Sequence, residues 1–201
     1  MQTLSAGRHG LTPEEVAADQ RRRIFAAMAE VMAANGYANT TVSDIVTRAR
    51  VSRPTFYQFF DDKRDCFLAG YAHTQQAMIN GILRAPLAGT PMQRFDELLQ
   101  RYLSALAANP ATSMVYLVHS YEAGPEAVSR RLEMQQRFVD GVAGIFKARS
   151  KADRFACTML VGAISTVVTH ALVEDRAEEI VTLRKPILNV AERLMARLIV
   201  R

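Results

Sequence analysis

At 201 residues, with 49% hydrophobic and 22% charged side chains, the chain can bury a real core and suits one small domain plus a larger one. The formal charge is +5, but residues 1–70 hold nine Lys/Arg against eight Asp/Glu, and residues 71–201 hold sixteen against twelve. Bulk basicity is therefore no argument for nucleic acid, and any such argument must be local. Two cysteines, Cys66 and Cys157, sit in helical apolar patterns and read as reduced core side chains, not as a disulfide framework.

Residues 1–11 carry no apolar run of the secretory kind and read as a flexible arm, with Arg8 its candidate for a minor groove. The first helix opens at Thr12-Pro13-Glu14-Glu15, a capping box with proline at the first position, and closes at Asn35-Gly36. Ile24, Met28, Val31 and Met32 form its apolar stripe, while Arg21, Arg22 and Arg23 read as a solvated run.

Residues 40–63 are the most informative stretch. Val42, Ile45, Val46 and Ala49 recur at helical spacing behind a capping box at Thr41-Val42-Ser43-Asp44. After a tight turn, Ser52 or Arg53 opens a second helix, with Pro54 in a first turn where no intrahelical donor is lost. That helix turns Phe56 and Phe60 inward and leaves Arg53, Thr55, Tyr57 and Gln58 to face out. This is helix-turn-helix organisation, whose second helix enters a major groove. Asp62 caps a further helix, placing Lys63 and Arg64 in a first turn where the dipole disfavours cations; a bound phosphate would resolve that conflict.

Gly36-Tyr37, Thr40-Thr41-Val42, Asp44-Ile45-Val46, Ala49, Val51-Ser52, Thr55-Phe56-Tyr57, Phe60 and Lys63 resemble the DNA-binding domain of TetR-type transcriptional repressors. The resemblance spans residues 14–70 without a gap. It implies an all-α fold: a three-helix DNA-binding domain over 12–70, then a helical ligand-binding and dimerisation domain over 71–201. It also implies a homodimer that leaves a palindromic double-stranded DNA operator when a small, mostly apolar effector binds. The DNA-binding residues are expected to be Thr40, Thr41, Arg50, Ser52, Arg53, Pro54, Thr55, Tyr57, Gln58 and Lys63, with Arg53 and Gln58 on base edges. Three positions depart from the family. Arg50 stands where a turn glycine is usual, so either it takes a strained positive φ or the turn differs slightly. Pro54 replaces a small residue, and Phe59 replaces a histidine or tyrosine, which removes one phosphate donor.

The helix from Lys63 is expected to reach about residue 83, followed by a break at 86–91 and helices near 92–108, 111–122, 125–149, 152–174 and 178–200. Residues 155–173 lack Asp, Glu, Lys and Arg, close to a spanning length, but Thr158, Ser165, Thr166, Thr169 and His170 favour a buried helix in a cytoplasmic dimer over a membrane anchor. The last two helices look built for pairing. Val161, Ile164, Ser165, Val168, Leu172, Leu183, Ile187, Val190 and Leu194 are the expected dimer interface.

The middle helices suggest an effector cavity lined by Phe95, Leu99, Tyr102, Met114, Leu117, His119, Tyr121, Phe138, Met159 and His170. No cofactor, metal site or catalytic residue is expected. Two rivals from other classes explain less. An enzyme would need a metal-spaced cluster, a phosphate loop or a nucleophile elbow, and a helical protein-binding adaptor leaves Arg53 and Tyr57 exposed together without a reason.

Overall fold

The computed structural model describes residues 12–83 and 88–199, and within them the chain is helical, with no strand. The expectations for the arm 1–11, for Arg8 and for part of the break at 86–91 lie outside the described residues.

Helix α1 (Pro13–Asn39) starts at the expected capping box, with the Glu15 N–H donating to Thr12 Oγ1 at 3.2 Å and the Thr12 N–H to Glu15 Oε2 at 2.7 Å. Gly36, at φ 77°, breaks its course, as only glycine does at low cost. Helices α2 (Val42–Ala49), α3 (Arg53–Tyr57) and α4 (Lys63–Met78) follow, and the last continues as one wide turn over Ile79–Leu83. Ile24, Met28, Met32, Ile45, Phe56 and Phe67 are completely buried between these helices.

That first core does not stop near residue 70. Val115 and Tyr116 of α6 (Pro110–Leu117) belong to it, and Tyr116 stacks on Tyr71 at 4.7 Å between ring centroids. Gly70 is what admits this contact, because a Cβ there would lie 2.5 Å from the Tyr116 hydroxyl.

A second core joins α5 (Pro91–Ala108), α7 (Pro125–Ile145), α8 (Lys151–Val173) and α9 (Arg184–Ile199) through Phe95, Leu103, Phe146, Val168, Ile180 and Met195. Arg184 clamps Asp96 across it with two hydrogen bonds of 2.6 and 2.7 Å. The expected helix over 178–200 is divided. Ala177–Leu183 is a tighter 3-10 segment, and the α-helix begins at Arg184. Pro186 explains the restart: it fits the first turn of a helix, whereas deeper inside one its ring would meet a carbonyl four residues back. Likewise the helix expected over 111–122 ends at Leu117, and a 3-10 turn carries His119–Tyr121.

Candidate nucleic-acid interface and effector cavity

Helix α2 is closed at both ends by residues that define the reading head. Its box is formed by the Asp44 N–H donating to Thr41 Oγ1 at 3.2 Å and the Thr41 N–H to Asp44 Oδ2 at 2.9 Å. The Thr41 hydroxyl beside Asp44 holds that carboxyl below the usual carboxylate range. At the other end Arg50 takes the left-handed conformation, φ 52° and ψ 48°, while the Val51 N–H reaches back to the Val46 carbonyl at 3.1 Å. This is a Schellman end with arginine where glycine is unstrained. Arg23, expected to be a solvated charge, donates to the Ala49 carbonyl at 3.2 Å and so caps α2.

Ser52 then caps α3, its Oγ accepting the Thr55 N–H at 3.1 Å. Phe56 is buried, whereas Arg50, Ser52, Arg53, Pro54, Tyr57 and Gln58 are exposed and Thr55 is half-exposed beside Ser52. The neighbouring cations are already committed: Arg48 pairs with Glu30, and Arg64 with Glu126 at 3.2 Å. Among the described residues the side chains of Arg50 and Arg53 meet no acid. These two charges are available to a polyanion.

Two expected DNA contacts need correction. Thr40 is buried, and its hydroxyl donates to the Gly36 carbonyl at 2.8 Å, so it closes α1 from inside. Lys63 turns inward as well. Its ammonium donates to the carbonyls of Tyr37 at 2.6 Å and Thr40 at 2.8 Å, and lies 4.3 Å from the Tyr37 ring centroid. Burial pushes its pKa below the ordinary lysine value. The conflict between this cation and the start of α4 is thus resolved by the carbonyl end of α1, without a phosphate.

Behind the reading head lies a cavity of about 680 Å³, within the ordinary range for a small-molecule site. Phe95, Leu99, Tyr102, Leu117 and Phe138 line it as expected, and Tyr102 meets Phe138 edge-on at 5.1 Å. It also takes in Phe25 and Ala29 of α1, and Tyr71, Thr74 and Met78 of α4. The other five expected residues are not part of the lining. Met114 packs into the second core, and Met159 is 56% exposed on the far side of α8. The 3-10 turn carries His119 to Glu122, 2.7 Å away, and leaves Tyr121 59% exposed, with its hydroxyl on Arg131. His170 lies 3.3 Å from Glu174 at the outer surface.

Residues 24–69, which hold these reading-head helices, match the family model of bacterial regulatory proteins, tetR family. The chain is similar to the fatty acid metabolism regulator protein of Bacillus subtilis (strain 168), at 24% identity over 177 residues, covering 84% of this chain and 91% of that protein. Residues 24–69 are thus similar to the DNA-binding region of tetR-family regulators, and the likeness over the rest of the chain is one of fold. Its fold is similar to that of FadR from Bacillus subtilis in complex with stearoyl-CoA, with a TM-score of 0.73 and 22% identity over 84% of this chain and 96% of that one. FadR from Bacillus halodurans gives a TM-score of 0.72 at 20% identity, covering 87% and 97%.

The expected dimer residues fall on two faces. Val161, Ile164, Val168, Leu172 and Ile187 are buried within the chain itself, and Ser165 points to the cavity; they are the inner face of α8 and α9. Leu183 is half-buried against the second core. Val190, 57% exposed, and Leu194 remain outward, and α8 adds Phe155, Met159, Val167 and Val173. By length and composition α8 would also pass as a membrane span, although 39% of its most apolar window is buried inside the protein.

Sequence reasoning missed Arg131, a buried residue of the cavity wall, and Glu122, whose carboxylate accepts the Tyr37 N–H at 3.1 Å. Arg131 had a readable signal: four residues after Ala127 and three before Met134, it lies on the buried side of α7. Glu122 had none, because its partner is far away in sequence.

Proposed function

We propose that this regulator is a homodimeric repressor that reads a palindromic operator and is released when an acyl-chain effector fills the cavity. The observation that carries the reading is the reach of that cavity. Its wall includes Tyr71, Thr74 and Met78 of α4, whose first turn anchors the end of α1 through Lys63, and Phe25 of α1 itself. An effector seated there alters the packing of the two helices that carry the reading head. It acts only to the extent that it binds the released state better than the DNA-bound one.

Arg53 and Gln58 would read base edges, with Arg50, Thr41, Ser52, Pro54, Thr55 and Tyr57 setting register on the backbone. The outward stripe of Val190, Leu194, Phe155, Met159, Val167 and Val173 would pair two copies in the cytoplasm, at an ordinary cost-effective contact of about 800 Å² per partner. The mostly apolar wall supports an acyl chain, as does the likeness to a fatty acid metabolism regulator and to a FadR solved with stearoyl-CoA. The reading needs no cofactor and assigns no reaction to the cavity.

Fluorescence anisotropy on a labelled duplex from the chain's own upstream region tests it. Binding that is reversed by dodecanoate or dodecanoyl-CoA, and not by a short acid such as acetate, is the expected result. Retention of the duplex at saturating amounts of both long-chain compounds would overturn it.

A further inference from the structure

Arg131 is a buried charge in the cavity wall that an apolar chain does not explain. It is 9% exposed, on the buried side of α7, and lines the cavity wall. Its Nε donates to the Tyr121 hydroxyl at 3.2 Å and its Nη2 to Ser165 Oγ at 3.2 Å, both neutral partners. The adjacent Arg130 has Glu126 at 3.2 Å, but no carboxylate lies within 4.0 Å of Arg131 among the described residues. A buried guanidinium without a counter-ion is strongly disfavoured, and it cannot escape by losing its proton.

The surroundings are arranged for an anion. Two of the five guanidinium N–H groups are used, which leaves three donors spread over both terminal nitrogens. Such a pair of nitrogens matches the two oxygens of a carboxylate. The phenols of Tyr71 and Tyr102 line the same cavity. Burial pushes both up, Tyr102 to about 12, against the opposing pull of Arg131, so at neutral pH both stay protonated donors and neither supplies a negative charge. Next to this polar end, Phe138, Leu99 and Ile164 present an apolar wall.

We infer that Arg131 anchors a free carboxylate on the effector, so that the cavity takes an amphipathic monocarboxylic acid in preference to its ester or thioester. This rests on the cavity being the effector site, as proposed above, and names the head group that site selects. Isothermal titration of the full chain with dodecanoate, methyl dodecanoate and dodecanoyl-CoA tests it. The acid is expected to bind about tenfold or more tightly than the ester, the scale of a hydrogen bond to a charged group. Arg131→Met should remove that difference by weakening the acid and leaving the ester unchanged. The wild-type comparison decides the matter even if Arg131→Met fails to fold.

Equal binding of acid and ester to the wild type would overturn the carboxylate anchor and leave an apolar effector standing. Tightest binding by dodecanoyl-CoA would also overturn it, assigning recognition to the thioester's nucleotide portion. No binding by any of the three would overturn both the anchor and the acyl-chain reading.

Discussion

Glu122 and Lys63 hold the two ends of one residue, Tyr37. The carboxylate accepts its N–H at 3.1 Å, and the ammonium donates to its carbonyl at 2.6 Å. The Tyr37 N–H is free for this bond because Gly36 breaks α1 just before it. Glu122 follows the 3-10 turn after α6, whose Tyr116 and Leu117 line the cavity. Tyr37 therefore ties the cavity wall to the end of α1.

Glu122→Gln should loosen that tie. The carboxylate is partly exposed, so the cost in stability is about 1 kcal/mol in a urea titration. The larger change is expected in the effector concentration that releases DNA, which should rise. An unchanged release curve with lowered stability would reduce Glu122 to a structural tether.

The same residue sets a pH dependence. His119 beside Glu122 holds its carboxyl below the ordinary value of 4.5. A carboxyl depressed on folding contributes stability that is fully present above its unfolded value and lost as pH falls through the folded one. The stability difference between the wild type and Glu122→Gln should shrink as pH falls below about 4.5. Urea midpoints across pH 3–7 measure this, and a difference that widens in acid would contradict it.

Lys63→Ala should cost about 1–3 kcal/mol of stability, because it removes a charged donor from the part-buried carbonyls of Tyr37 and Thr40. DNA affinity should fall evenly across sequences, with the salt slope changing by less than one phosphate's worth, since this ammonium is turned inward. A full unit of slope at unchanged stability would return Lys63 to the backbone contacts.

Much of the fold was legible because caps and periodicity agreed. Thr12, Thr41, Ser52, Asp62, Thr90 and Ser150 each accept the backbone N–H three residues on, and each marks a helix start. What the sequence hid was phase. Helix α8 is apolar on both sides, so Val161, Ile164 and Val168 could not be told from Phe155, Met159 and Val167 without knowing which side α5 and α7 cover. His119 and Tyr121 were misplaced because a 3-10 turn rotates side chains out of α-helical register. Lys63 was misread because its acceptors lie more than twenty residues earlier in the chain.

That phase error yields a sharp contrast. Val190→Glu or Leu194→Glu should leave helical content intact and convert a dimer to monomers in sedimentation. Val168→Glu should instead unfold the chain, because it buries an unpaired charge in the second core. Dimers that survive both outer substitutions would remove this stripe from the interface.

Lys147 ends α7 at φ 53°, with the Ala148 N–H bonded to the Ala143 carbonyl at 2.9 Å. Lys147→Gly should relieve the left-handed strain and stabilise by about 0.5–1 kcal/mol after the entropy of the unfolded chain is counted. A thermal melt gives the sign, and a lowered midpoint would show that the lysine stem contributes more than the strain removes.

In the proposed function, paired copies present the uncommitted charges of Arg50 and Arg53 to duplex DNA. Selection from randomised duplexes by the full chain at low salt tests it most directly. The expected outcome is enrichment of an inverted repeat, with half-site centres about 34–36 Å apart or a multiple of that, and loss of preference at one base pair per half-site with Arg53→Ala. A pool with no enriched sequence, or one that Arg53→Ala selects equally well, would contradict it.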